Sequence, residues 1–380
     1  MSAPLQPEQP GPWTGVGLNL LAAALALPVA QVARAETPPE QGLIAFKYLS
    51  YTDRQPGQDR IAVRSPAVSV MSPIGSDWSI AADAIVDSIS GASPAYHTAG
   101  FTKLRDERRA ADVAVTRYAA NGSVTVGINY SNESDYRSSG ASIRATRSNE
   151  DKNTTWNAGL NLSYDTINPT NRVVVGERKT TRDLTLGVTQ VLTQRDIAQL
   201  ILGYARGAGY FSDPYKAYDE RPRQRNHTTA LLRWNHHFER TEGTGRFSYR
   251  YYDDSFGIKA HTITAEYVQP LARGWTLTPL LRLYSQSAAS FYIDVDPAAA
   301  PFATNPPADA TLYTEDQRLS AFGAHTLGLK LEKQIGDNWK VDLKAERYEQ
   351  RGSWSFSGTG SPNLAPFMAT SYQLGLSRRF

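Results

Sequence analysis

The 380-residue sequence contains no cysteine and only 3 Met. Without a thiol it has no disulfide framework, no thiolate metal site and no cysteine nucleophile. It also lacks a charge excess, with 40 Lys+Arg against 37 Asp+Glu. That balance offers neither a basic footprint for nucleic acid nor an acidic tail. Beyond residue 36 no apolar run is long enough for a transmembrane helix, and the mean hydropathy is −0.44. A phosphate-cradling glycine loop, G-x-S-x-G and H-E-x-x-H are absent as well.

Aromatics and glycine are plentiful: 20 Tyr, 12 Phe, 7 Trp and 28 Gly, a mix that favours β structure. Leu18 to Val32 has the length of a signal-peptide core and runs into Ala33-Arg34-Ala35, an A-x-A-like cleavage site. The stretch before it lacks Lys and Arg and carries Glu8. Residues 1–35 are therefore expected to be a cleaved leader, with 36–380 as one domain.

After residue 36 apolar residues recur at every second position. Val124, Val126, Ile128 and Tyr130 are interleaved with Ser123, Thr125, Gly127 and Asn129. The same holds for Trp156, Ala158, Leu160, Leu162 and Tyr164, and for Trp339, Val341, Leu343 and Ala345. Period two means strands with one apolar and one polar face. About sixteen are expected: 43–52, 60–72, 77–89, 108–119, 123–132, 138–148, 154–165, 179–192, 196–206, 227–239, 245–254, 259–271, 275–285, 320–333, 338–349 and 367–380. Short turns such as Ala120-Asn121-Gly122 suit hairpins. They alternate with longer polar connections near 90–107, 165–178, 207–226, 286–319 and 350–366.

A soluble sandwich or propeller would also alternate, but its connections need not sort by length, and it has no reason to layer its aromatics. Trp78, Trp156, Trp275 and Trp339 open strands that leave short turns, and Trp234 lies near the end of a strand entering one. Tyr130, Tyr164, Tyr204, Tyr251, Tyr284 and Tyr348 mark the other level. Two aromatic levels around an aliphatic band are what a membrane girdle requires. The last strand carries Tyr372, Leu374, Leu376 and a terminal Phe380 on one face, like the assembly signal of bacterial outer-membrane barrels, although Arg378 stands at a usually apolar position. The expected fold is all-β: a transmembrane antiparallel up-and-down β-barrel of about 16 strands, with short periplasmic turns and long extracellular loops, in a Gram-negative outer membrane.

Several blocks extend this reading: Pro39-Glu40-Gln41-Gly42 with Phe46-Lys47-Tyr48, Asp87 to Pro94, Gly209 to Lys216, Arg233 to Phe238, and Tyr249 to Tyr252 with Asp254 to Ile258. In these blocks the chain resembles an uncharacterised proteobacterial outer-membrane β-barrel family, domain of unknown function 3570, over essentially its whole length past the leader. The resemblance implies location and architecture but no settled activity. It also implies a periplasmic redox context, since such members are often encoded near thioredoxin-like and flavin-attachment proteins.

The apolar phase turns Asp83, Asp87, Asp112, Asp183, Arg233, His237, Arg246, Arg250, Glu266, Arg282, Lys330, Lys340, Asp342, Lys344 and Glu346 inward. Facing lipid, each Arg or Lys would cost roughly 2–4 kcal/mol near the midplane. They must line water or pair with one another. Sixteen strands are wide enough for an aqueous lumen, and the run Arg233, Arg246, Arg250 and Arg282 would face carboxylates on the early strands. An inert salt-bridged plug is the alternative. His236 and His237 point to opposite faces of a strand and cannot chelate one metal alone. Asp253-Asp254, Asp294 with Asp296, and Asp53 with Asp59 are expected in extracellular loops; loop carboxylates can hold Ca²⁺, but the EF-hand spacing is absent. No catalytic, cofactor or metal residue is assigned. The loop at 286–319, rich in Ala and Pro, either constricts the lumen or stays outside it. The aromatic loop 207–226 is a candidate cap.

The reading is a channel for small polar solutes. A conduit or scaffold for a periplasmic partner ranks second. A hydrolase ranks third and needs a Ser–His pair on one outward face. Expected partners are outer-membrane lipid and lipopolysaccharide, the barrel-assembly machinery and a periplasmic protein, with no nucleic acid and no cofactor.

Overall fold

A computed structural model describes residues 37–94, 101–216, 218–296, 309–356 and 358–380. The expected leader and cleavage site lie outside the described residues. Sixteen strands close into one barrel. They are β1 (Leu43–Gln55), β2 (Gln58–Ile74), β3 (Trp78–Pro94), β4 (Phe101–Ala119), β5 (Gly122–Asn132), β6 (Tyr136–Ser148), β7 (Thr154–Ile167), β8 (Glu177–Val191) and β9 (Asp196–Gly209). After the two-residue β10 (Asp219–Glu220) come β11 (Gln224–Phe238), β12 (Gly243–Asp254), β13 (Lys259–Leu271) and β14 (Trp275–Gln286). The two-residue β15 (Tyr313–Thr314) precedes β16 (Phe322–Ile335), β17 (Trp339–Arg351) and β18 (Phe367–Arg379). Each barrel strand pairs antiparallel with its neighbours, and β1 closes on β18 from Leu43↔Arg379 to Arg54↔Met368. Strands β10 and β15 pair apart from the barrel.

Closure leaves the sheet without a free edge strand, so the wall backbone pairs strand to strand, which is what a lipid environment demands. The apolar set faces out. Val124, Val126, Ile128, Leu160, Leu186, Leu202, Leu329, Leu343 and Leu374 are all exposed on the isolated chain. Their neighbours in sequence point inward, and Lys47, Ser65, Asp87, Asp342 and Gln373 are buried there.

The two ends differ. At one end lie the start of β1, the end of β18 and the tight connections 75–77, 120–121, 149–153, 192–195, 239–242, 272–274 and 336–338; this is the turn end. Gly336 sits at φ 56° in its turn, a left-handed value that glycine takes without a Cβ penalty. The opposite, loop end carries the long connections, but three of its links are also short: 56–57, 133–135 and 255–258. The strict alternation of short and long connections is thus corrected. Pro56-Gly57 closes a tight turn with Gly57 at φ 80°. Asp254 holds 255–258 closed by accepting from the Phe256 and Ile258 amides at 3.0 and 2.9 Å.

Candidate functional site

The site is built by period two acting on both walls of a closed ring. Asp83 of β3 and Asp112 of β4 are direct cross-strand partners on the face opposite exposed Val113 and Val115. Asp87 is fully buried, accepts from Arg108 Nε at 2.7 Å and is hydrogen-bonded by Ser65 Oγ. Eight steps round the ring from β4 stands β13. Around it are Arg233 of β11, Arg246 and Arg250 of β12, Glu266 of β13 and Arg282 of β14. Arg246 pairs across strands with Glu266, their charged atoms 3.9 Å apart. Arg233 donates to Gln199 at 3.2 Å, and Arg282 to Thr264 at 3.4 Å.

A third group joins the two walls. Lys330 and Lys340 both reach Glu332, at 3.1 and 3.2 Å. Lys344 reaches Glu346 at 3.0 Å. Asp342 lies buried opposite Gly375. Lys330, Lys340 and Lys344 are thus ion-paired, whereas Arg233 and Arg282 are held by neutral oxygens.

The aromatic positions divide. Trp78, Trp156, Trp234, Trp275 and Trp339 are exposed, as are Tyr130, Tyr164, Tyr204 and Tyr372. Tyr251 lies on the outer face against His261. Tyr284 and Tyr348 are corrected: they share strand parity with Arg282 and Glu346 and point inward, packed on a buried cluster of Phe322, Ala324 and Leu364. Arg378, the departure in the last strand, lies over the Trp339 ring at 5.3 Å. Arg117 over Trp78 (5.5 Å) and Lys333 over Trp275 (5.2 Å) repeat that pairing. Phe380 exchanges backbone hydrogen bonds with Gly42, and Leu374 and Leu376 face out beside it.

Over the loop end lies a folded cap made by segments 210–223 and 309–321, with β10–β15 as its sheet. Its centre is ionic. Asp316, 1 % exposed, accepts from Arg221 at 2.8 Å and from Arg318 Nε at 2.7 Å. Arg318 also reaches Asp213 at 2.7 Å, and Arg221 is bidentate to Asp219 at 2.6 and 2.5 Å. Burial pushes the Asp316 carboxyl up, but the Arg318 and Arg221 guanidiniums outweigh it and hold the group well below the usual carboxylate range. Around this lies an apolar layer of Phe256, Ile258, Ala289 and Leu319 with Phe211 and Phe291. The barrel wall grips the cap: Gln286 Nε2 donates to the Arg318 and Ser320 carbonyls at 3.1 and 2.7 Å, and Tyr215 donates to Asp135 at 2.5 Å. Of the expected loop 207–226, the segment 210–223 thus enters the cap, while 207–209 and 224–226 belong to β9 and β11. The second loop joins it through 309–321, while 297–308 lies outside the described residues.

Asp53 and Asp254 are not loop ligands. Asp53 is buried in β1 beside Tyr51 and Arg60, and Asp254 is held by Arg225 at 2.6 Å. His237 meets Thr244 at 3.4 Å. His236 Nδ1 lies 2.7 Å from Asp196, which also accepts from Trp234 at 2.9 Å. The ring packs on Trp234 and Phe238, so this His–Asp pair has no nucleophile among those neighbours. Sequence reasoning missed one cluster. Asp106, Glu133 and Asp135 bring carboxylate oxygens within 4.8 Å of one another, because β4 runs beside β5 and its turn. Burial, with Asp106 close by, pushes Glu133 up to about 8, and burial pushes Asp135 up to about 7 against the Tyr215 hydrogen bond.

The family described as "Protein of unknown function (DUF3570)" matches residues 18–103, 96–178 and 170–373. The chain belongs to this family. No curated protein matches it. Among solved structures it is similar to a bacterial polysaccharide outer membrane secretin, at 10 % identity and a TM-score of 0.53, covering 89 % of this chain and 98 % of that one. CdiB from Acinetobacter baumannii is similar at 9 % identity and a TM-score of 0.50, over 87 % of this chain and 60 % of that one. OccD3 from Pseudomonas aeruginosa scores 0.44 at 10 % identity, over 94 % and 97 %. The first two likenesses show the fold, a closed barrel of the outer-membrane kind. With its continuous lipid-facing apolar band, this DUF3570 protein is an outer-membrane β-barrel.

Proposed function

We propose that this DUF3570 barrel is a channel that passes small polar solutes through its charged lumen, with the turn end in the periplasm and the cap at the cell surface. The observation that carries the reading is the acidic wall of Asp83, Asp87 and Asp112 set eight strands from the arginines of β11–β14. Opposed charge across a water-filled bore orients dipolar solutes and sorts ions, and a low-dielectric wall focuses that field. Arginines held by neutral oxygens, as Arg233 and Arg282 are, have no structural reason to line a dry core. The folded cap supports gated passage, in which solutes enter when it shifts or by paths beside it.

Planar-bilayer conductance of the purified protein tests this. The expected result is an ion-permeable pore whose anion preference falls when Arg246 and Arg250 are both changed to Glu. A protein that opens no pore, with and without the cap, sinks the channel reading. The cap also favours a second reading, a conduit or scaffold that opens only with a periplasmic partner. Its mark would be a silent barrel that co-purifies with a periplasmic protein. A hydrolase would need a nucleophile beside His236, and lipid hydrolysis abolished by His236→Ala would revive it.

A further inference from the structure

The cluster of Asp106, Glu133 and Asp135 lies at the loop end, where β4 carries it past Asp87 of the acidic wall. Asp106 comes from β4, and the other two come from the 133–135 turn between β5 and β6. All three are about nine-tenths buried or more, at 9, 8 and 4 % exposure. Buried carboxylates of one sign repel and are costly unless a cation or hydrogen bonds compensate. Here the compensation is incomplete. Asp106 Oδ2 and Asp135 Oδ1 are buried oxygens with no hydrogen-bond partner. The remaining bonds are local or neutral: Asp106 Oδ1 accepts from the Glu107 amide at 2.8 Å, and Asp135 Oδ2 accepts from the Tyr215 hydroxyl at 2.5 Å. Arg108, whose charge favours the ionised Glu133 carboxylate, makes its hydrogen bond and ion pair to Asp87.

We propose that Asp106, Glu133 and Asp135 form a Ca²⁺ site that fastens the cap to the barrel rim. Ca²⁺ takes oxygen ligands at about 2.3–2.6 Å in flexible geometry, so carboxylate oxygens up to 4.8 Å apart span one ion. Mg²⁺, at about 2.0–2.1 Å and near-ideal octahedral geometry, fits that spread less well. Three carboxylates supply the charge, and the two orphaned oxygens are the atoms the ion would satisfy. The ion would also fix Asp135, whose other oxygen holds Tyr215 of the cap. Tyr215 in turn receives the Thr170 amide at 2.9 Å, so the site would tie the β5–β6 turn, the β7–β8 loop and the cap together. The site goes beyond the channel reading and does not depend on the lumen conducting.

The test is calorimetric titration of the chelator-stripped, full-length barrel in detergent with CaCl₂ alone. One Ca²⁺ per chain is expected, with a Kd at or below the roughly millimolar range of extracellular Ca²⁺ modules. Glu133→Gln and Asp135→Asn should each weaken it at least tenfold, and Asp151→Asn in a turn-end connection should leave it unchanged. If the variants fail to fold, trypsin cleavage in 210–223 of the wild-type chain decides. Ca²⁺ should slow it, and EDTA should restore it. Lack of saturable binding, binding that survives the Glu133→Gln/Asp135→Asn double variant, Mg²⁺ binding as tightly as Ca²⁺, or cleavage indifferent to Ca²⁺ would each overturn the proposal. A barrel that conducts but binds no Ca²⁺ overturns it while leaving the channel reading standing.

Discussion

The two ends of the barrel solve opposite problems. At the turn end the chain reverses within a few residues, and its rim is dressed with shallow pairs: Arg117 on Trp78, Lys333 on Trp275, Arg378 on Trp339. Each is a direct cross-strand pair, and each is replaceable. At the loop end two segments far apart in sequence are drawn into a buried ionic knot in which Arg221 and Arg318 hold Asp213, Asp219 and Asp316. Exposed cation–aromatic pairs contribute little individually. A buried ion network contributes little net stability when intact but is strongly disrupted when one partner goes. Damage should therefore be graded at the turn end and abrupt at the loop end.

The largest expected effect is Arg318→Ala. It leaves Asp316 and Asp213 buried with too little positive charge and should destabilise the cap by about 3–5 kcal/mol. Hydrogen exchange should rise across 309–321 while the barrel strands stay protected; loss of protection in the barrel as well would break the contrast between the ends. The same knot sets a pH response. The folded Asp316 carboxyl lies well below its ordinary value, so its contribution is full above about pH 4. It is lost only as pH falls through that depressed value. Arg221, Arg318 and Lys216 face it as cations, with Asp213 and Asp219 beside them. Pepsin at pH 4 should leave 309–321 intact and should cut it in stronger acid.

Gly42→Val should have a smaller effect, of about 1–3 kcal/mol. A side chain there meets the Phe380 ring, which covers Gly42, so the β1–β18 seam would be forced apart. A lowered urea midpoint for the barrel in lipid vesicles checks it. Arg378→Ala should be the smallest, about 0.5–1 kcal/mol by the same measurement. A loss as large as that of Arg318→Ala would mean the turn end also depends on one contact.

Much of this was readable in advance because a barrel repeats one local rule. A residue's parity on its strand fixes whether it meets lipid or lumen, and the alternation in 124–130 or 156–164 is visible without tertiary knowledge. Tyr284 and Tyr348 show how that rule is lost. Their height near the strand ends suggested a girdle, yet their parity with Arg282 and Glu346 already turned them inward. The cap could not be read in the same way. Arg318 meets Asp213 across 105 residues, and no local period links them. Asp106 likewise lies far from Glu133 along the chain and reaches it only because β4 folds back beside β5.

By itself, then, the sequence determined the number of strands, their order, the lipid face and the charged lumen, since each follows from period-two chemistry within a hairpin. The tertiary structure decided which loops fold over the mouth, which ions meet there and which three carboxylates converge at the rim. The cap depends on closure of the ring, which brings loops far apart in sequence over one mouth, the carboxylates on β4 folding back beside β5, and both on burial, which makes an unpaired charge too costly to leave alone.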